Sequence, residues 1–353
     1  MFTAKIPAIA TLSVTLTLLA PACGDEGGAT TATATESSSD ATSEDASTSA
    51  ADTTEATASA ADPTEAPTST AADASSTAAS TDDATTGGEA GALVVPGFMA
   101  PESVYWEPEG RHWYVSNIVG ALGEKDGLGW ISRLDADGTL LAAQWVTGFD
   151  TPAGLRSFAG QLFVADIDEL HVIDIASATI TETIAIPGAM FLNDVTVDGA
   201  GTVYVSDTAT NTIHRVRPGE APQVVVQDAG LQAPNGLSVL GDQLVVASIG
   251  SVGADEIVAP LFKLDLGTAS FAQFGSLTAK FDGVEQDGAD LLVTDFRGRL
   301  HRIDPTGEAT LLRDFAAADG LINSTNFGFD PVARVLGVPD LAGGQIAFWR
   351  LPE

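Results

Sequence analysis

Short apolar runs recur through residues 92–353 in three alternating forms, each bounded by glycine, asparagine or aspartate. The first form reads "APESVYW", "TPAGLRS", "FLNDVTV", "APNGLSV", "KFDGVEQ" and "NSTNFGF". A second follows 13–15 residues later as "YVSN", "FVAD", "YVSD", "VVAS", "LVTD" and "GVPD". The third reads "WISRLD", "LHVIDI", "TIHRVR", "LFKLDL", "RLHRID" and "IAFWRL". Turn sequences such as "DADG", "DGAG" and "DPTG" separate them, so the pattern predicts β-hairpins.

The three forms together make six repeats, whose equivalent positions are 40–51 residues apart. Repeats of this length, with about four strands each, predict an all-β six-bladed β-propeller over residues 91–353. The sixth repeat has room for only three strands, and "ALVVP" at residues 92–96 can supply the fourth and close the ring. Closure would hide the sheet edges that an open array exposes. A large β-sandwich or a solenoid is the alternative fold. Either one explains less well why the three forms recur in the same order in all six repeats.

The N-terminal residues 1–22 have the pattern of a targeting segment. Lys5 precedes an apolar stretch from Ile6 to Leu19, which is too short for a transmembrane helix. The stretch ends in "LAPAC", which fits either a plain secretory cleavage site or a bacterial lipobox with Cys23 as the lipidated residue. The usual lipobox has leucine three places before the cysteine, where this chain has Ala20. Because Cys23 is the sole cysteine, we favour the lipoprotein interpretation, with simple secretion as the alternative.

Residues 23–90 consist almost entirely of alanine, threonine, serine and acidic residues, with 14 acidic residues in the stretch. Such a composition cannot bury enough apolar surface to offset the entropy cost of ordering, so it predicts a disordered tether. The tether would link an anchored N-terminus to the folded domain, and the protein would be exported to the cell envelope.

Acidic residues are also in excess outside the tether. Residues 91–353 carry 34 acidic residues and 14 lysines and arginines. This balance argues against nucleic-acid binding and predicts repulsion from anionic membrane surfaces, which leaves the N-terminal lipid as the only membrane contact. We expect a monomer that binds a small molecule.

One position of the repeat carries an oxygen-bearing side chain in five of the six repeats, and we call the six equivalent residues the axial column. Its members are Glu102, Ala153, Asn193, Asn235, Asp282 and Thr325. Equivalent positions in a propeller lie at equal distance from the axis, so four of these side chains should converge from blades 1, 3, 4 and 5. Two carboxylates and two amides suit a hard cation such as Ca²⁺. Asn-Gly, Asn-Asp and Asp-Gly are also ordinary turn dipeptides, which is the alternative explanation.

Four segments of these repeats resemble the SMP-30/gluconolactonase/LRE-like family of propellers. They are "ESVYW", "LNDVTVDGAGTVYVSD", "PNGLSV" and "FDGVEQDGADLLVTD", within a resemblance that spans residues 92–353. The resemblance implies one divalent cation, Ca²⁺ most readily and Zn²⁺ as the alternative, bound by Glu102, Asn235 and Asp282. It also implies that Asn193 contacts the substrate or a water beside it. Sugar-lactone hydrolases of the family tend to carry arginine where this chain has Phe191, which points to a more apolar ligand.

The remaining chemistry-bearing residues fit structural roles. His171, His214 and His301 recur at one phase of the third form, which is typical of a packing position. Ser116 and Ser206 lie in strand patterns, and no G-x-S-x-G segment precedes a helix, so a serine-hydrolase triad is not indicated.

Two functions from different classes remain open at this stage. The first is a metal-dependent hydrolase of lactones or related esters, with Asp282 orienting or deprotonating the attacking water. The second is a non-catalytic propeller that binds a ligand or protein at the cell surface and has a structural metal. Fold alone cannot choose between them.

Overall fold

The computed structural model describes residues 91–251 and 256–352. The predicted targeting segment, the tether and Cys23 lie outside the described residues. Between residues 91 and 352, apart from the short gap, no helix is long and apolar enough to span a membrane.

The described chain folds as the expected all-β, six-bladed propeller, with six antiparallel sheets of four strands each. Strand β1 (Leu93–Pro96) comes first and belongs to the last blade. Blade 1 contains β2 (Pro101–Glu107), β3 (His112–Asn117), β4 (Gly129–Leu134) and β5 (Leu140–Phe149). Blade 2 contains β6 (Pro152–Phe158), β7 (Gln161–Asp166), β8 (Glu169–Asp174) and β9 (Thr179–Ala185). Blade 3 contains β10 (Leu192–Val197), β11 (Val203–Asp207), β12 (Thr212–Val216) and β13 (Gln223–Gln227). Blade 4 contains β14 (Pro234–Leu240), β15 (Gln243–Ser248), β16 (Ala259–Asp265) and β17 (Phe271–Ala279). Blade 5 contains β18 (Phe281–Asp287), β19 (Asp290–Asp295), β20 (Arg299–Ile303) and β21 (Ala309–Asp314). Blade 6 contains β22 (Gly328–Asp330), β23 (Val335–Asp340), β24 (Gln345–Arg350) and β1.

The two ends of the propeller join in blade 6, as the repeat count predicts. Strand β1 pairs antiparallel with β24, with Leu93 opposite Phe348 and Val95 opposite Ile346. On the inner side, the backbone N–H of Val104 donates to Asn326 O at 2.9 Å, which ties blade 1 to blade 6. These contacts complete the ring and pair the strand that an open sixth blade would leave exposed.

The apolar core is divided into six clusters, one between each pair of neighbouring blades. Alternation along each strand places apolar side chains on both faces of a sheet, and each face packs on the next sheet. Representative members, in ring order from the blade 1–2 contact to the blade 6–1 contact, are Phe149, Leu192, Leu237, Phe281, Phe315 and Trp113. The core therefore closes around the axis.

The innermost strand of every blade begins at the same mouth of the propeller, and each of the first five has a β-bulge near its start. In blade 1 the regular pairing runs from Pro101 directly to Val104, so Glu102 and Ser103 leave the ladder. A hydroxyl from the second strand replaces the lost bond, since Ser103 N donates to Ser116 Oγ at 2.9 Å. A bulge of this kind changes the direction of a side chain, and here it frees the axial-column residue from the ladder.

Close approach of the strands at the axis requires glycine at some positions. A Cβ on Gly236 would lie 2.0 Å from Asp282 O, and one on Gly154 would lie 2.5 Å from the Cα of Asp194. The glycines next to the axial column therefore let neighbouring innermost strands approach backbone to backbone.

Candidate axial metal and catalytic site

The four carboxylate and carboxamide members of the axial column all lie at the second residue of an innermost strand. Glu102 is 7% exposed, Asn193 6%, and Asn235 and Asp282 2% each. Ala153 occupies the same place in blade 2 and supplies no oxygen, while Thr325 precedes β22 at the same register in blade 6. The side chains are thus buried at the start of the channel.

Three of these residues influence one another directly. Asn235 Nδ2 donates to Asp282 Oδ2 at 3.3 Å. Glu102 lies close enough to Asp282 for the aspartate charge to raise its pKa. Asn193 shares their register, but its carboxamide oxygen accepts no hydrogen bond from any described residue.

One oxygen of each of the four side chains is buried without a hydrogen-bond partner among the described residues. These atoms are Glu102 Oε2, Asn193 Oδ1, Asn235 Oδ1 and Asp282 Oδ1. Buried polar atoms are normally paired, because an unpaired one costs about 1–3 kcal/mol and a charged one costs more. Four such oxygens at equivalent positions of four blades are suitable ligands for a bound cation, which would satisfy them.

The electrostatics of the two carboxylates agree with this interpretation. Burial raises the pKa of Glu102 well above its usual range, and the charges of Asp282 and Asp194 raise it further. The pKa of Asp282 is raised by burial and by Asp194, and the hydrogen bond from Asn235 offsets this only in part. Two acidic groups with only acidic charges acting on them need a positive partner to remain ionised.

The residues present fit a hard divalent cation. Within residues 91–251 and 256–352, no three histidine, cysteine, aspartate or glutamate side chains come together as a metal-binding group. The axial donors are instead two carboxylates with amide oxygens, and Ca²⁺ accepts such mixed oxygen sets. A site for a metal that prefers thiolate or imidazole ligands would need a different composition.

Asp194 and Asn326, for which the sequence predicts no role, form a contact across the axis beneath these oxygens. Asn326 Nδ2 donates to Asp194 Oδ1 at 2.6 Å, and Leu237 N donates to Asp194 Oδ2 at 2.7 Å. Burial raises the pKa of Asp194 to about 6, against the lowering effect of Arg156 and of backbone N–H groups. Blades 3, 4 and 6 are thereby linked through one carboxylate.

A second cross-axis contact lies further along the channel. Arg156 Nη1 and Glu285 Oε1 form an ion pair of 2.9 Å between blades 2 and 5. The guanidinium carbon of Arg156 lies 5.0 Å from the centre of the Tyr105 ring. The channel is therefore crossed by polar contacts below the axial oxygens, and these form the floor of the site.

Phe191 lies in the loop that leads to Asn193, and it is partly buried. Its backbone N–H donates to Asp207 Oδ1 at 3.2 Å, and its carbonyl accepts from Thr208 N at 3.0 Å. The structure thus fixes the backbone of Phe191 two residues before Asn193. Its proposed role towards substrate stays a prediction.

The recurring histidines face recurring aspartates at the ends of the second strands. His171 Nε2 lies 3.3 Å from Asp166 Oδ2, and its Nδ1 lies 2.9 Å from Thr183 Oγ1. His214 and His301 form the same pairs with Asp207 and Asp295 at 3.8 and 3.5 Å. Each pair lies within its own blade, away from the axial column, which fits a packing role.

A groove of about 550 Å³ lies at the junction of blades 1 and 6, remote from the axial column. Its lining includes Arg111, Val335 and Trp349, and none of the axial-column residues lines it. Because the unpartnered oxygens are on the axis, we place the candidate chemistry there and not in the groove.

The fold is shared with solved propellers at low sequence identity. A gluconolactonase from Xanthomonas campestris matches with a TM-score of 0.57 and 18% identity over 74% of this chain and 90% of that chain. A second structure, described as a candidate gluconolactonase, matches at 0.54 and 18% over 73% and 92%. A chain of a mitotic checkpoint complex matches at 0.53 and 14% over 78% and 100%. No family model and no curated protein matches the sequence.

These likenesses define the class of protein, a six-bladed β-propeller of the architecture found in gluconolactonase structures. A likeness of fold that extends to a chain of a checkpoint complex does not by itself indicate an activity.

Proposed function

We propose that this propeller is a divalent-metal-dependent hydrolase of lactones or related esters and a distant member of the SMP-30/gluconolactonase/LRE-like family. The four buried oxygens without partners at the axis carry this proposal. A structural role for the metal is less economical, because the six blades are already closed by strand pairing and by packing between blades.

Each axial residue has a defined task in this proposal. Glu102, Asn235 and Asp282 hold the cation, Ca²⁺ by preference and Zn²⁺ as the alternative. The bound cation would polarise the substrate carbonyl and stabilise the developing oxyanion. Asn193 and Phe191 border the bound substrate.

Asp282 is the proposed general base. It takes a proton from a water whose oxygen adds to the carbonyl carbon. The carbon–oxygen ester bond then breaks, and the leaving alkoxide oxygen takes a proton, so that a lactone gives a hydroxy acid. Asp282 Oδ2 accepts a hydrogen bond from Asn235 Nδ2 at 3.3 Å, which would orient the carboxylate for this proton transfer.

Hydrolysis with and without chelation tests the activity. We expect turnover across a panel of lactones and esters to disappear with a chelator and to return when Ca²⁺ or Zn²⁺ is added. If the panel is not hydrolysed with either cation present, the non-catalytic binding propeller is the better description.

We also propose that the protein is exported and anchored to the cell envelope through Cys23, with residues 23–90 as the tether. Two or more acyl chains are needed for stable anchoring. Cys23→Ser should therefore move the protein from the membrane fraction to the soluble fraction. An unmodified Cys23 in mass spectra of the mature N-terminus would contradict the anchor and favour simple secretion.

A further inference from the structure

Three blades present a large apolar side chain at the same position, three residues before the axial column. These residues are Met99 in blade 1, Met190 in blade 3 and Ile322 in blade 6, and we call them the rim triad. They are 49%, 59% and 67% exposed, respectively. Since all three precede the start of an innermost strand, they lie at the mouth that leads to the axial oxygens.

The backbone of each rim residue is held by a carboxylate or carboxamide at the end of a second strand. Met99 N donates to Asn117 Oδ1 at 3.1 Å. Met190 N donates to Asp207 Oδ2 at 3.0 Å, and Ile322 N donates to Asp340 Oδ2 at 3.0 Å. The exposed apolar side chains therefore project from anchored backbone, so little loop ordering is needed when a ligand binds.

The rim is apolar on only part of its circumference. Blade 2 has Asp150 at the same position, held in the same way by Asp166, and blade 4 has Gln232. In blade 5 the equivalent Ala279 is buried. The mouth thus has an apolar side formed by blades 6 and 1, a further apolar residue on blade 3, and polar residues between them.

Other exposed apolar side chains add to this surface. Of the twelve large apolar side chains that are exposed among the described residues, half lie in connections at this mouth: Met99, Leu128, Met190, Ile257, Val258 and Ile322. Single exposed apolar residues are common on soluble proteins. Repetition at one structural position beside a buried polar site is the feature that points to a ligand.

We infer that the rim triad binds an aliphatic chain and makes the enzyme selective for lactones or esters that carry one. This inference rests on the proposed function for its substrate. The carbonyl of such a ligand would lie at the axial oxygens, and its chain would lie across Met99, Met190 and Ile322. Methionine suits this task because its unbranched side chain adapts to chains of different length.

The test compares hydrolysis of γ-butyrolactone with that of γ-lactones bearing progressively longer alkyl chains. For the wild type we expect KM to fall with each added methylene, by up to about fourfold if the methylene becomes fully buried. In the triple variant Met99→Gln, Met190→Gln, Ile322→Thr, the ratio of kcat/KM between long-chain and short-chain lactones should fall towards one.

The matched control replaces three exposed apolar residues away from the mouth. Leu140→Gln, Leu311→Gln and Val332→Thr change residues that are 42%, 54% and 82% exposed. This variant should keep the wild-type ratio. An equal loss of the ratio in both triple variants, or a wild-type ratio in the rim variant, would overturn the inference.

A binding measurement separates this inference from the proposed function. If no lactone is hydrolysed, the proposed function fails. Calorimetric titration of γ-dodecalactone then shows whether the rim triad binds an aliphatic chain. Binding to the wild type that is lost in the rim variant and kept in the control would sustain the apolar site. Hydrolysis of all lactones without preference for chain length would support the proposed function and overturn the inference about the rim triad.

Discussion

Replacing Asp282 with asparagine should reduce affinity for Ca²⁺ by at least about 100-fold, because hard cations depend on anionic oxygen for much of their affinity. The variant preserves the shape of the side chain and removes its charge. It also removes the proposed base, and general-base catalysis contributes typically about 10²–10⁴-fold. Hydrolysis should therefore remain at least about 100-fold below the wild type even at saturating Ca²⁺.

Two further variants sharpen this prediction. Glu102→Gln should weaken cation binding to a similar extent, but saturating Ca²⁺ should restore much of its activity because Asp282 is intact. His171→Ala should lower the melting temperature and leave Ca²⁺ affinity unchanged, since His171 contacts Asp166 and Thr183 within blade 2. Wild-type affinity in both carboxylate variants would remove the basis for the axial metal site.

The melting temperature of the chelated protein should fall as the pH rises above the ordinary range of carboxyl pKa values, and Ca²⁺ should reverse the fall. In the unfolded chain Glu102 and Asp282 have pKa values near 4.5 and 3.8, and in the folded chain both pKa values are raised. The folded state therefore retains protons that the unfolded state has lost. The stability linked to these groups is complete at acid pH and is lost as the pH rises through their folded pKa values.

Groups with lowered pKa values change the stability in a different pH range and do not contribute to this fall. Burial would raise the pKa of Asp207, but hydrogen bonds from His214, Thr210 and backbone N–H groups bring it below its usual value of 3.8. Its stabilising contribution is lost only below that range. At pH values above the folded-state pKa values of these two groups, the double variant Glu102→Gln, Asp282→Asn should be more stable than the chelated wild type, and its stability should vary less with pH. A double variant with the same pH dependence as the wild type would show that these carboxylates are not the cause.

The architecture could be predicted because each blade repeats one pattern. The register of the first form predicts that Thr325 is the axial-column residue of blade 6. The structure agrees, because Thr294 Oγ1 donates to Thr325 O at 3.1 Å as Ser206 Oγ donates to Asn235 O at 2.6 Å. The need for a closing strand was also visible, since the predicted segment 92–96 contains β1 (Leu93–Pro96), which joins blade 6. Both features depend on local alternation and on counting repeats.

The floor of the site was missed because its contacts join residues that are far apart in the chain. Asp194 and Asn326 are 132 positions apart, and Arg156 and Glu285 are 129 apart. A signal was nonetheless present. Each pair occupies one register on blades that face each other across a six-bladed ring, so complementary side chains at equal register in blades 2 and 5, or 3 and 6, predict a contact across the axis.

The position of the rim triad was readable in the same way, but its exposure was not. Met99, Met190 and Ile322 share one offset from the axial column. An apolar residue at that offset could equally be buried in the core, as Ala279 is between blades 4 and 5. Only the length and path of each connection decide whether the side chain faces solvent.

A crystal structure of the protein grown with Ca²⁺ or Zn²⁺, with the ion identified by anomalous scattering, tests the central claim most directly. We predict one anomalous peak at the start of the channel, with Glu102 Oε2, Asn235 Oδ1 and Asp282 Oδ1 at coordination distance. An axis without a peak, with those oxygens hydrogen-bonded to water alone, would contradict the axial metal site.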